Sequence, residues 1–108
     1  TCVRIPTFFG HAMNVWAEFE RPVTPAEARE LISAARGVRL IDDPAKESYP
    51  TPMDVAGTDD VLVGRLRGDS SLPGGITLWT VTDSIRKGAA TNVVQVIEEA
   101  ARRGLIRR

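Results

Sequence analysis

The sequence holds one cysteine and one histidine in 108 residues. One cysteine forms no internal disulfide, and such sparing use fits a reducing compartment, so a cytoplasmic protein is the expectation. A single Cys and a single His fall short of the four ligands of structural zinc, so no metal is expected. Excess charge of either sign is missing too, since 14 basic residues face 14 acidic ones. A balanced chain lacks the basic surface that non-specific nucleic-acid binding requires. No apolar run approaches the roughly 18 residues of a membrane span, so no membrane partner is expected. Nor does a Gly-rich turn follow a strand and open a helix, as a dinucleotide fingerprint would. Pro73-Gly74-Gly75 precedes a strand instead.

An apolar fraction of 43% allows one modest core, and the length suits a single domain over residues 1–108. The chain opens on Thr1-Cys2-Val3-Arg4-Ile5-Pro6, which reads as the middle of a strand and has no initiator Met. Gly10-His11 follows. An arginine with a histidine seven residues later supplies a fixed cation and a titratable acid/base. The expectation is one part of an active site whose other part lies on chain not present here.

Val15, Ala17 and Phe19 alternate with Trp16, Glu18 and Glu20, so Met13–Glu20 is expected to be a strand with one face on a core. Thr24-Pro25-Ala26-Glu27 carries a capping threonine, a proline suited to the first helical position and a capping-box glutamate. Ala28, Leu31, Ile32 and Ala35 recur at helical spacing and are expected to face the sheet, with Gly37 as C-cap. Strands are expected at Val38–Ile41, Val61–Arg67 and Ile76–Thr82, the last two antiparallel. The proline-rich stretch from Asp42 to Asp60 is long for a connection and reads as a functional or interface loop. Asp83 or Ser84 can cap a last helix with an apolar stripe of Ala90, Val93, Val94, Ile97 and Ala101, ended by Gly104. Gly88-Ala89-Ala90 lacks bulk and permits close approach of backbone or ligand. The fold class this order implies is α+β: a mostly antiparallel sheet with helices on one face, the other face solvated or covered by a partner.

His11 suits general acid or base work, because an imidazole exchanges protons near neutral pH. A lone histidine is also commonly a hydrogen-bonded structural or surface residue. Arg4 offers a planar fork for a carboxylate or phosphate, or is an ordinary charged strand residue. Their odd offset would send them to opposite faces of an unbroken strand, but Pro6 and Gly10 break it. Cys2 lacks an activating neighbour and is expected to be a buried, inert thiol. Arg65 and Arg67 share a strand face and could bind an anion or make interface ion pairs. Arg86-Lys87 opposes the dipole of the last helix and invites an anionic partner. Trp16 and Trp79 are expected in core or interface packing.

Three segments in this order resemble the C-terminal part of aspartate-β-semialdehyde dehydrogenases. They are Cys2–Pro6 with Gly10-His11 and Glu18–Pro22; Tyr49–Pro52 with Val63–Arg67; and Leu78–Ala90 with Asn92 and Gln95. The resemblance covers nearly the whole chain. It implies the catalytic and dimerisation domain of an NADP-dependent enzyme, similar to the C-terminal domain of glyceraldehyde-3-phosphate dehydrogenase-like enzymes, with the nucleotide-binding domain absent. Such enzymes convert L-aspartyl-4-phosphate to L-aspartate-4-semialdehyde with NADPH through a cysteine thioester, on the route to lysine, threonine and methionine. It further implies that Arg4 grips the substrate carboxylate and that His11 is the acid/base. Ser84 stands where an amide side chain often touches the nicotinamide, and Ala12 stands where a serine is common. Homodimers or homotetramers form through the sheet in this family. The chain alone is expected to be inactive. Alternatives are a non-catalytic dimerisation or interaction module on the same fold, and the N-acetyl-glutamyl-phosphate reductase of arginine biosynthesis.

Overall fold

A computed structural model describes residues 2–106. Strand β1 (His11–Ala17) is followed by helix α1 (Pro25–Ala34), β2 (Val38–Leu40), α2 (Pro52–Val55), β3 (Val61–Gly68), β4 (Ile76–Thr82) and α3 (Thr91–Arg102). A 3-10 turn at Pro44–Lys46 precedes α2, and a π-helical turn at Arg86–Ala90 leads into α3. The four strands lie in the order β1-β4-β3-β2. β4 pairs antiparallel with β1 and with β3, whereas β2 runs parallel to β3. A parallel neighbour cannot be reached by a tight turn, so the chain between β2 and β3 must cross over. That requirement accounts for the long stretch after Asp42.

The capping box forms as its sequence dictates. The Glu27 amide donates to Thr24 Oγ1 at 3.2 Å, and the Thr24 amide donates to the Glu27 carboxylate at 2.8 Å. Helix α1 then packs Ala28 against Leu66 and Ile76, with Ile32, Val23 and Leu78 beside them. On the other face Val55 packs against Leu62 and Val81, with Ala12, Ile41 and Trp79 beside them. Along β4, Ile76 and Leu78 serve the first cluster and Trp79 and Val81 the second, as strand alternation demands. The α+β class with a mostly antiparallel sheet holds. The short α2 is the helical piece that the crossover adds to the face opposite α1.

Several local expectations are corrected. Residues 2–10 form no strand, and the first ladder begins at His11 and ends at Ala17, short of Glu20. Gly10 takes φ +90°, which stops the extended run just before His11. With no strand around it, Cys2 is exposed instead of buried. Leu31 is exposed, because only the Ala28–Ile32 row of α1 meets the sheet. Ala35 has left the helix, with ψ 134° at the C-cap. Val93, Val94 and Ile97 keep more than half their surface exposed, so the α3 stripe lies uncovered by the described residues.

Two carboxylates fix the less regular parts. The register of β3 against β4 slips between Gly64 and Arg67, a bulge in which Arg65 takes φ 55°. A left-handed residue other than glycine costs about 1–2 kcal/mol. The Asp42 side chain, 1% exposed, compensates for the broken ladder. It accepts the Arg65 amide at 2.8 Å and the Leu66 amide at 3.1 Å, and pairs with Arg29 Nη2 at 2.6 Å. Asp83, 4% exposed, closes β4. Its Oδ1 accepts the amides of Ile85 at 2.8 Å and Arg86 at 3.0 Å, and its Oδ2 accepts that of Gly57 at 2.8 Å. The Arg86, Gly57 and Ile85 amides hold the Asp83 carboxyl below its ordinary value.

Asp42→Ala strands two amides and a guanidinium, and is expected to cost about 3 kcal/mol in urea unfolding. A loss under about 1 kcal/mol would mean that the bulge holds itself. For Asp83 the lowered folded-state pKa sets the sign. Its contribution is complete above the unfolded-state value and is lost as pH falls through the folded one. Asp83→Asn is therefore expected to lower the melting temperature at neutral pH and to flatten its fall below about pH 4. Parallel acid melting series of both proteins check this, and superimposable curves refute it.

Candidate active site

His11 opens β1 and pairs with Thr82, the last residue of β4. It therefore stands at the end of the sheet where β4 hands over to Ser84 and the π-turn. His11 is exposed, and Ser84 is half-buried between Asp83 and Ile85, whose amide the Asp83 carboxylate holds. The strand ladder thus brings His11 and Ser84 to one end of the sheet. Arg4 lies in the irregular segment before β1, exposed, with no ion pair or side-chain hydrogen bond among the described residues. Among the described residues no hydrogen bond or ion pair joins it to His11.

The π-turn is built from wide hydrogen bonds. The Gly88 amide donates to the Asp83 carbonyl at 2.7 Å, and the Ala90 amide to the Ile85 carbonyl at 3.3 Å. Asp59 holds it from outside. Arg86 Nε and Nη2 donate to the two Asp59 oxygens at 2.9 and 2.8 Å, and Thr91 Oγ1 donates to Oδ1 at 2.8 Å. These donors, Arg86 first, hold the Asp59 carboxyl below its usual range. Asp59 is also the anionic partner that Arg86 invites, supplied by the chain itself. Lys87 Nζ donates to Gln95 Oε1 on α3. The unbulky run at Gly88 faces the histidine: a Cβ placed on Gly88 would lie 3.6 Å from His11 Cδ2.

Sequence reasoning names His11, Arg4 and Ser84 as candidates and Asp83 as a cap, and of these the structure bears out the cap; sequence reasoning misses Asp59 and Asp42. Nothing in the spacing of the crossover marks either aspartate, because each finds its partners 13 or more residues away.

On the face of α2 lies a cavity of about 560 Å³. Asn14, Tyr49, Pro50, Arg65, Arg67 and Trp79 line it. The bulge interrupts the shared strand face expected for Arg65 and Arg67, yet both reach this cavity. The Arg65 guanidinium stands 5.9 Å from the centre of the Tyr49 ring, and Arg67 Nη1 donates to the Arg65 carbonyl at 2.7 Å. Trp79 Nε1 donates to the Pro50 carbonyl at 3.1 Å. Trp16 remains 64% exposed, so of the two tryptophans it is Trp79 that packs among the described residues.

Comparison with known proteins agrees with this architecture. The aspartate-semialdehyde dehydrogenase of Aquifex aeolicus is 48% identical over 106 residues, which cover 98% of this chain and 31% of that protein. That of Legionella pneumophila is 47% identical over 108 residues, covering 99% and 31%. The chain thus spans about a third of the length of these curated relatives. The crystal structure of aspartate semialdehyde dehydrogenase II complexed with ASA from Vibrio cholerae superposes with a TM-score of 0.84 at 43% identity. That superposition covers 94% of this chain and 30% of the other. Residues 1–87 match the family model described as semialdehyde dehydrogenase, dimerisation domain. This chain belongs to the semialdehyde dehydrogenase family and carries its dimerisation domain.

Proposed function

We propose that the protein containing this chain is an NADP-dependent aspartate-semialdehyde dehydrogenase, converting L-aspartyl-4-phosphate to L-aspartate-4-semialdehyde. The observation that carries this reading is the near-half identity, over almost the whole chain, to enzymes of that name from two organisms. His11 is the acid/base. It is exposed at the end of the sheet, where an imidazole can reach a reacting group and exchange its proton. Here it takes the proton of a thiol supplied by the rest of the protein and handles protons at the substrate carbonyl oxygen. Arg4 binds the substrate carboxylate, for which an exposed guanidinium is suited in charge and shape.

The nicotinamide, when bound, supplies hydride. This chain has no Gly-rich turn to hold a pyrophosphate, so its contribution to the nucleotide is the hydroxyl of Ser84, near the His11 end of β4. The nucleotide-binding domain and the nucleophilic cysteine belong to the remainder of the protein. Two subunits or more assemble through the sheet face that leaves Trp16 uncovered. The place proposed for the enzyme is the cytoplasm; no helix among the described residues is long and apolar enough to cross a membrane.

The test is the activity of the complete protein, followed as NADPH formed from L-aspartate-4-semialdehyde, phosphate and NADP⁺. His11→Ala is expected to lower kcat by ~10²–10⁴. Arg4→Ala is expected chiefly to raise the KM for the semialdehyde, with a smaller loss of kcat. Near wild-type kinetics in both variants would remove both residues from the site. A folded but inactive parent would favour a non-catalytic module or another acyl phosphate.

A further inference from the structure

We propose that Gly88 is a positioning residue for His11: the bare backbone of the π-turn sets where the imidazole stands. The proposal rests on the reading of His11 as the acid/base. A π-turn is rare, and such turns gather at functional sites. Here the turn is held from both ends, by the Asp83 carboxylate on the Ile85 and Arg86 amides and by Asp59 on Arg86 and Thr91. Yet the turn buries none of its own residues. Two aspartates are thus committed to a segment that adds nothing to either core cluster. What the segment does offer is a surface for His11.

Gly88 is not glycine for backbone reasons, since it is absent from the positive-φ positions of the chain. In a helical turn glycine is less favourable than alanine. What glycine provides is space. A Cβ at this position would lie 3.1 Å from the Asp83 carbonyl and 3.6 Å from His11 Cδ2. The first distance is tighter than ordinary contact, so the turn would have to shift, and the nearest side-chain atom the Cβ would meet is on the imidazole. Alanine would fill the gap between turn and ring. Valine would displace the ring. An acid/base displaced by about 1 Å from its reacting proton loses up to ~10²-fold in rate.

The experiment is a double-mutant cycle in the complete enzyme, with Gly88→Ala and Gly88→Val each made in the wild-type and His11→Ala backgrounds. Expected is a kcat loss growing from alanine to about tenfold or more with valine, at little-changed KM for semialdehyde and NADP⁺. In the His11→Ala background neither substitution should lower kcat further. Equal losses in both backgrounds would show that Gly88 acts on the fold and overturn the proposal, as would wild-type kcat with valine. If valine unfolds the protein, the alanine pair carries the same comparison. If His11→Ala alone keeps wild-type activity, the acid/base reading falls and this proposal with it. Loss in His11→Ala with equal Gly88 effects in both backgrounds removes only the proposal.

Discussion

The Asp83 carboxylate is the interaction on which the site end of this molecule depends. β4 is paired on both edges, so whatever is fixed to its end inherits the rigidity of the sheet. Asp83 passes that rigidity to two other segments, taking the Gly57 amide from the crossover and the Ile85 and Arg86 amides from the π-turn. Both carboxylate oxygens are satisfied by donors, which is how a nearly buried charge is tolerated. His11 reaches the same strand by another route, through the β1 ladder. The imidazole and the glycine facing it are thus both referenced to β4, one by backbone pairing and one through a carboxylate.

Asp42 does comparable work in the middle of the sheet. By absorbing the amides of Arg65 and Leu66 it lets β3 carry one extra residue, so that Leu66 meets α1 while Arg65 and Arg67 reach the cavity on the other face. The chain needs such polar fixings because its apolar core is small. Ala28, Val55, Leu62, Val63, Leu66, Ile76 and Val81 are its buried hydrophobic residues. Trp16, Val93, Val94 and Ile97 hold much of the remaining apolar surface in the open. Surface of that kind belongs on a domain whose family role is dimerisation and which makes up about a third of its relatives.

The elements were legible where their signals are local. Thr24-Pro25-Ala26-Glu27 specified its helix start because every bond of a capping box closes within four residues. The β-branched run of β4 and the alternation of β1 likewise named their strands. The first residues misled, because Cys2–Pro6 has strand composition but no ladder partner among the described residues, and propensity without pairing makes no strand. Leu31 misled for a related reason: helical periodicity says which residues share a face, not how wide a strip of that face meets a sheet. Of the site, the residue types with intrinsic chemistry stood out, since a lone histidine and an arginine fork are recognisable anywhere. Asp42 and Asp59 did not, because an aspartate becomes a clamp only through where its partners fall in space.

The roles proposed for His11 and Arg4 differ in what they tolerate. Proton transfer requires the imidazole within hydrogen-bond reach of one proton, so misplacement is costly in rate. A residue with that task gains from a place on a strand ladder, beside a turn held by two aspartates. Binding a carboxylate asks less of the free chain. The guanidinium fork is planar by itself, always charged, and completes its geometry when the anion arrives. Such a residue can sit outside regular structure, as Arg4 does, and be ordered by its ligand. The same logic places the glycine. Bulk at Gly88 would reach the imidazole, the group whose proposed task tolerates least drift.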